Sequence, residues 1–445
     1  MTRRVRPIAA AGLLLGAATA CGAAGCGSGA GTPGVAAGRA EAARLAPQDV
    51  SPRSAEHVGA GAGVDASAAA GPAGGDTVGG FARASGTRAW RFPRDHGSHP
   101  AYETEWWYVT GIVRDGSGRR FGYQVTFFRV GLPGAGSSGS ADAGAAREAD
   151  SSAASAQPPR PTSPWRARDL IVAHAAITDV ERRRLLFADR ADRAALGFAV
   201  ADTADLDVGV GTWRFRRRDG SMLVRVPPGP EGIGLELALR PLRPPVLHGE
   251  GGLAAKGAGP GAGASWYVSL PRLATDGVLE IAGAAHRVSG TSWMDHEFFT
   301  GGLAAGQEGW DWLSLRLEDG RDVMLYRLRR GGERTDYALG TVAGAEGAEG
   351  RPLDLSGAVF EPLERWRSPD TGALYPVAWR VALPGEELSL EIRTPVASQE
   401  VPSRASVGFA YWEGLVDASG TWRGDAVRGE GYLEMTGYDR PLRLP

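Results

Sequence analysis

Residues 292–299 read SWMDHEFF and set Asp295, His296 and Glu297 in a row between Trp293 and Phe298-Phe299. Ionisable groups among aromatic side chains are costly to bury unless they are paired or used. Alternate residues of a strand share a face, so Trp293, Asp295, Glu297 and Phe299 point one way and Met294, His296 and Phe298 the other. A carboxyl beside tryptophan in a barrel interior would have its pKa raised by desolvation, becoming an acid able to protonate an apolar substrate. The competing reading has Asp295 or Glu297 accept hydrogen bonds from arginine, tryptophan or backbone and hold a domain junction together.

A second cluster, HGSHPAYETEWWYVTG at 96–111, carries His96, His99, Glu103 and Glu105 ahead of an aromatic strand. Alternation puts Trp106 and Tyr108 on one face, and Glu105 with Trp107 on the other. Glu105 reads either as a buried acid or as a strand-end residue bonded to arginine or a loop amide. His174, inside the apolar run IVAHAAITD, reads first as a hydrogen-bonded core histidine. No close histidine spacing of the H-x-H or H-x-x-x-H kind occurs, so no metal is expected. A Gly-x-Ser-x-Gly elbow and a P-loop Lys-Ser/Thr are both missing, which argues against a serine hydrolase and a phosphate cradle.

The elements that must position these residues follow from the rest of the chain. Its 445 residues, with 49 basic and 51 acidic side chains and neither sign gathered in a long stripe, make nucleic acid an unexpected partner. Residues 1–7 are basic and 8–20 apolar but too short to span a bilayer, which reads as an export leader. Ala18-Thr19-Ala20-Cys21 resembles a lipobox, so Cys21 is the expected lipid attachment point of an exported, membrane-tethered lipoprotein. The alternative is plain cleavage after Ala20, with Cys21 paired to Cys26. These are the only cysteines, so the folded body must be stable through its core. Residues 1–26 are thus leader and lipobox region, and 27–85 an Ala/Gly-rich tether with too little apolar surface to fold. Segments 131–163 and 249–264 read as surface insertions of similar composition, and 340–350 as a shorter one.

Elsewhere the pattern has a period of two, in runs such as WWYVTGIV, FGYQVTFFRV and ELSLEIRTPV separated by Gly-rich turns, which predicts an all-β antiparallel fold. Residues 105–116, EWWYVTGIVRDG, align without a gap on 309–320, GWDWLSLRLEDG. Each stretch leads into a strand ending in arginine, Arg129 and Arg329. Two copies of one β unit follow from that register, and with them two barrel or sandwich domains, at 86–298 and 299–445.

HPAYETEWWYVTG, AHAAITD, SWMDHEFF, GWDWLSLRLEDG, YWEGLV and GEGYLEMTGY occur in this order over about 90–439, a series that resembles the CrtC/AttH family of lipocalin-like proteins. The resemblance implies two tandem lipocalin-like barrels, no cofactor, and relatives that include carotenoid 1,2-hydratases, hydro-lyases that add water to an isoprenoid double bond, as well as AttH-like exported proteins. It implies Asp295 as the acid, with Trp293 and His296 beside it, and Asp311 as the second candidate. Glu105, Trp106, Trp107, Tyr108, His174, Trp310 and Trp312 would then line a site for an apolar isoprenoid or lipid. The rival expectation is a non-catalytic lipid carrier or chaperone working beside an ABC transporter.

Overall fold

The computed structural model describes residues 77–132, 166–259, 262–344 and 350–443. The leader, Cys21, Cys26, the tether up to residue 76 and most of the 131–163 insertion lie outside the described residues. The chain is built almost wholly of antiparallel strands, with a single four-residue α-helix at Arg404–Val407 among the described residues. Packing of the body begins at Phe81, which is buried against Gly131, within the stretch expected to be tether.

The two-residue alternation is realised in two sheets, of thirteen and ten strands among the described residues. The first runs from the hairpin Thr104–Asp115/Arg120–Gly131 to the long pair Ala264–Ile281 and Ala284–Phe299, which closes beside Thr104–Asp115. Its far strands curl until Asp207–Val210 meets Asp169–Asp179, giving a nearly closed barrel. The second sheet begins at Gln307 and forms a half-barrel around Gln307–Leu317, Asp322–Arg330, Tyr411–Trp422 and Asp425–Met435. Two tandem lipocalin-like domains are the architecture.

The repeated hairpin is structurally equivalent in both. Glu105 sits opposite Arg129 and Gly309 opposite Arg329, while each turn is held by an aspartate, Asp115 or Asp319, accepting a backbone N–H two residues on. The equivalence extends to the flanking strands: Ala284–Phe299 lies beside Thr104–Asp115 as Asp425–Met435 lies beside Gln307–Leu317.

Each sheet buries one face in its own core. Trp107, Tyr123, Phe127, Trp213 and Phe215 fill the first barrel, and Tyr375, Trp379, Trp412 and Trp422 the second. The second retains a cavity of about 20 Å³ lined by Asp311, Leu313, Arg327, Phe360 and Trp379, room for one water. The expected ligand cavity inside a barrel is therefore corrected, because the large aromatic side chains pointing inward occupy that space. The opposite faces of the two sheets pack on each other through Tyr108, Ile112, Tyr267, Trp293, Trp312, Met324, Leu415 and Tyr432.

The 249–264 segment is also corrected. Its middle is no surface insertion: Leu253–Ala255 forms a strand against Trp266, and Ala254 is buried in the seam between the sheets, while 249–251 and 258–259 are exposed and residues 260–261 lie outside the described residues. Its small side chains let the backbone lie close enough to complete the sheet, which composition alone does not reveal.

Close approach also matters at Gly122, where an added Cβ would come within 2.8 Å of Leu415 Cδ2 and 3.2 Å of the Tyr432 hydroxyl. Gly122→Leu is expected to force the sheets apart and destabilise the fold by about 1–3 kcal/mol, read by urea denaturation.

Candidate active site

The strand Ala284–Phe299 separates its two faces as alternation requires. Met294 belongs to the core of the first barrel and His296 stacks on Trp107, so that side looks inward. Trp293 looks into the seam, with Asp295 bonded to it there. Register then assembles two facing rows. In the first sheet Ser269, Asp295, Tyr108, Thr126 and His174 lie side by side; in the second, Tyr326, Trp312, Glu434 and Glu413. The rows meet where Trp312 Nε1 donates to the Tyr267 hydroxyl at 2.8 Å, and where the Tyr108 and Trp312 rings stand edge to face at 5.2 Å.

Asp295 is buried at 3 % exposure and has no cation within ion-pair distance among the described residues. It accepts hydrogen bonds from Tyr267 Oη (2.5 Å), Trp293 Nε1 (2.6 Å) and Ser269 Oγ. Desolvation outweighs these three donors and, with the nearby Glu297 carboxylate, pushes the Asp295 pKa up to about 7. Ser269 in turn is bonded to His248 Nε2 at 2.6 Å, whose ring burial lowers to about 3 and keeps neutral.

The repeat supplies a second carboxyl. Asp295 lies opposite Tyr108 and Glu434 opposite Trp312, and Tyr108 and Trp312 are equivalent positions of the duplicated hairpin, so Asp295 and Glu434 are counterparts. Burial pushes Glu434 up to about 7 as well, against a 3.3 Å hydrogen bond from Trp310 Nε1. Glu413, directly across from it, is raised well above the ordinary range by burial and by the Glu434 charge. The buried Tyr108 hydroxyl lies against the Glu413 carboxyl and opposes part of that rise. The cation of this region is Lys256, held by Glu297 and lying 4.8 Å from the Tyr326 ring. Trp106, Phe128, Trp310 and Glu434 are partly exposed, and the Trp106 and Trp310 rings stack at 6.3 Å at the edge of the seam.

A family model described as AttH-like matches residues 83–438. The chain belongs to the AttH-like family. It is similar to an AttH protein of Nitrosomonas europaea, with 32 % identity, TM-score 0.67, and coverage of 80 % of this chain and 100 % of that one. It shares the fold of kievitone hydratase from Nectria haematococca, with 14 % identity, TM-score 0.57, and coverage of 78 % and 92 %. It is also 24 % identical over 228 residues to the dehydratase asqC of Emericella nidulans, a stretch that spans 49 % of this chain and 62 % of that relative.

Within this AttH-like chain the residues singled out by sequence divide. Trp293, Asp295, Trp106, Tyr108, Trp310 and Trp312 converge on the seam. His174 reaches its edge, where Nδ1 is bonded to the Tyr411 hydroxyl at 2.9 Å and Nε2 to Ser406 at 3.0 Å. Trp107 does not converge: it faces the first barrel's core and donates to His96 O. Glu105 and His296 share that inward side. Glu105 bonds Arg129 Nε (2.8 Å), His99 Nδ1 (2.9 Å), His296 Nε2 (2.9 Å) and Ser98. Burial opposes ionisation of Glu105, but the Arg129 guanidinium and the two imidazoles hold its pKa well below the usual range. The ligand atoms of His99, Glu105 and His296 lie within 4.8 Å of one another, yet Arg129 adjoins the carboxylate and His99 Nε2 is bonded to Asp95, so the group is a self-satisfied ion network. Asp311 points away from both neighbouring tryptophans and is paired with Arg327 (2.7 Å) and Arg329 (3.3 Å), which makes it a fixed carboxylate rather than a spare acid. Glu434, Glu413, Tyr267, Ser269 and His248 were not legible as site residues.

Removing one member of the Glu105 network leaves a buried charge, so Arg129→Met is expected to destabilise by about 3–5 kcal/mol in chemical denaturation. Asp295→Asn should behave oppositely at high pH. With its folded pKa raised from 3.8 to about 7, wild type binds the extra proton in the folded state between those values and loses stability as pH rises through them. The Asn variant lacks that loss, so its Tm should exceed wild type at pH 8 and converge with it near pH 4.

Proposed function

We propose that this chain is a hydratase or dehydratase that adds water to, or removes it from, a carbon–carbon double bond of an apolar isoprenoid or lipid-like substrate. The observation that carries the reading is Asp295, a carboxyl without a cationic mate, enclosed by tryptophan and tyrosine and holding its proton near neutrality. In the hydration direction Asp295 gives its proton to the alkene, forming a C–H bond and leaving a carbocation on the more substituted carbon. The faces of Trp106, Trp310, Trp312 and Tyr108 stabilise that cation. Water attacks it, and its proton passes to the Glu434/Glu413 pair, which keeps the overall reaction neutral in charge. In dehydration each step reverses. The shared fold with kievitone hydratase and the similarity to a dehydratase support this reaction class. Filled barrel interiors count against a carrier that stores a lipid inside a barrel.

Incubation with isoprenoid alkenes in ¹⁸O-labelled water, followed by mass spectrometry, tests the reading. Wild type should incorporate label at a rate that falls as pH rises through about 7, when Asp295 loses its proton. Asp295→Asn should lower the rate by about 100-fold or more, the contribution of a positioned acid. An unchanged rate in that variant would sink the assignment of Asp295, and recovery of an unaltered bound lipid with no label would favour the carrier.

A further inference from the structure

Below the acid rows the seam carries a second polar band that the reaction above does not use. Asp322, Arg316, Glu430 and Asp417 lie side by side on four neighbouring strands of the second sheet. The first sheet answers with Arg114 and Arg120, with Arg272 at the bulge in Ala264–Ile281, and with Arg243 from the connection between Ile233–Pro241 and Val246–Leu247. The acids are already engaged. Glu430 takes Arg114 (2.8 Å) and Arg120 (3.3 Å), Asp417 takes Arg120 (2.7 Å), and Asp322 takes Arg243 and Arg272 (2.7 Å each).

Arg316 is left over. It is 5 % exposed, and its Nε, Nη1 and Nη2 have no hydrogen-bond partner among the described residues. Two residues along the same face, the Ser314 hydroxyl is also buried and unpartnered, as is Thr110, its counterpart in the first hairpin. Strand formation does not demand a charge here, because the equivalent position of the first copy is Ile112, packed in the seam core. The Glu430 and Asp322 carboxylates beside it act on the guanidinium through space but accept none of its hydrogen bonds, and a planar fork of unfilled donors is the natural complement of a carboxylate or phosphate. The partly exposed Arg114, Arg272 and Glu430 leave this band a route to solvent.

We infer that Arg316, with Ser314 beside it, is the seat of a bound oxyanion, a carboxylate or phosphate group, at the foot of the seam. Arg316 follows Trp312 by four residues on one strand face, about 13 Å. The acid terminus of a substrate whose double bond lies at Asp295 could span that distance; only this source of the anion rests on the proposed reaction, and a free inorganic anion does not.

Thermal unfolding and calorimetric titration of the full chain with inorganic phosphate, farnesoic acid and farnesol test the site. Either anion should raise the wild-type Tm progressively with the logarithm of its concentration, as binding to the folded state requires, and farnesol should leave it unchanged. Arg316→Met should weaken anion binding at least tenfold, and Arg316→Lys less. Farnesoic acid binding far more tightly than phosphate identifies a substrate head group; phosphate binding equally well identifies a free anion. No anion response in wild type, or an equal response in Arg316→Met, overturns the inference. If the Met variant does not fold, a Lys variant that binds as tightly as wild type overturns it. Asp295→Asn should retain the full anion response, which separates failure here from failure of the proposed chemistry.

Discussion

Two sheets that have already filled their own interiors are pressed together by their second faces, and nearly everything of functional interest follows from that contact. A sheet with one face on its core ordinarily turns the other to water, where carboxyls are hydrated and ionised. Here Asp295, Glu434 and Glu413 stand on those outer faces but are shut away by the opposing sheet, and desolvation raises all three. The seam thus brings the Asp295 and Glu434 carboxyls to about 7 and raises Glu413 well above its ordinary value.

The contrast between the two carboxyl environments shows how placement decides role. Glu105 is as deeply buried as Asp295, yet Arg129 and two imidazoles keep it ionised, and it ties together the barrel end. Asp295 receives only neutral donors, so burial prevails. Neither outcome is set by the residue type or by the number of aromatic neighbours in sequence. It is set by whether a guanidinium lies on the adjacent strand.

Much of the fold was legible in the sequence because its signals are local. Alternation identified the strands, and the match of EWWYVTGIVRDG to GWDWLSLRLEDG identified the duplication that the register then displays. The parity of Trp106 against Trp107, and of Asp295 against His296, was legible too, but not which parity faced a barrel core. That choice depends on what packs on each face, so Trp107, Glu105 and His296 were grouped with residues they never meet. Glu413 in YWEGLV and Glu434 in GEGYLEMTGY look like solvent-side acids until the strand pairing is known. Extending the duplication to the flanking strands would have set Glu434 beside Trp312 as Asp295 sits beside Tyr108. Asp311 deceived for a similar reason: tryptophans adjacent in sequence lie on the other side of the sheet.

Lys256 carries a practical consequence. It is the only lysine in the chain, and it sits on the short strand-ending segment 253–256 that completes the seam, with its ammonium against Glu297 and the Tyr326 ring. Its side chain retains 18 % of its accessible area. Apart from the α-amino terminus, this sequence offers acylating reagents one primary amine, so a fluorophore attached there becomes a spectroscopic reporter of the seam beside Glu297 and Tyr326.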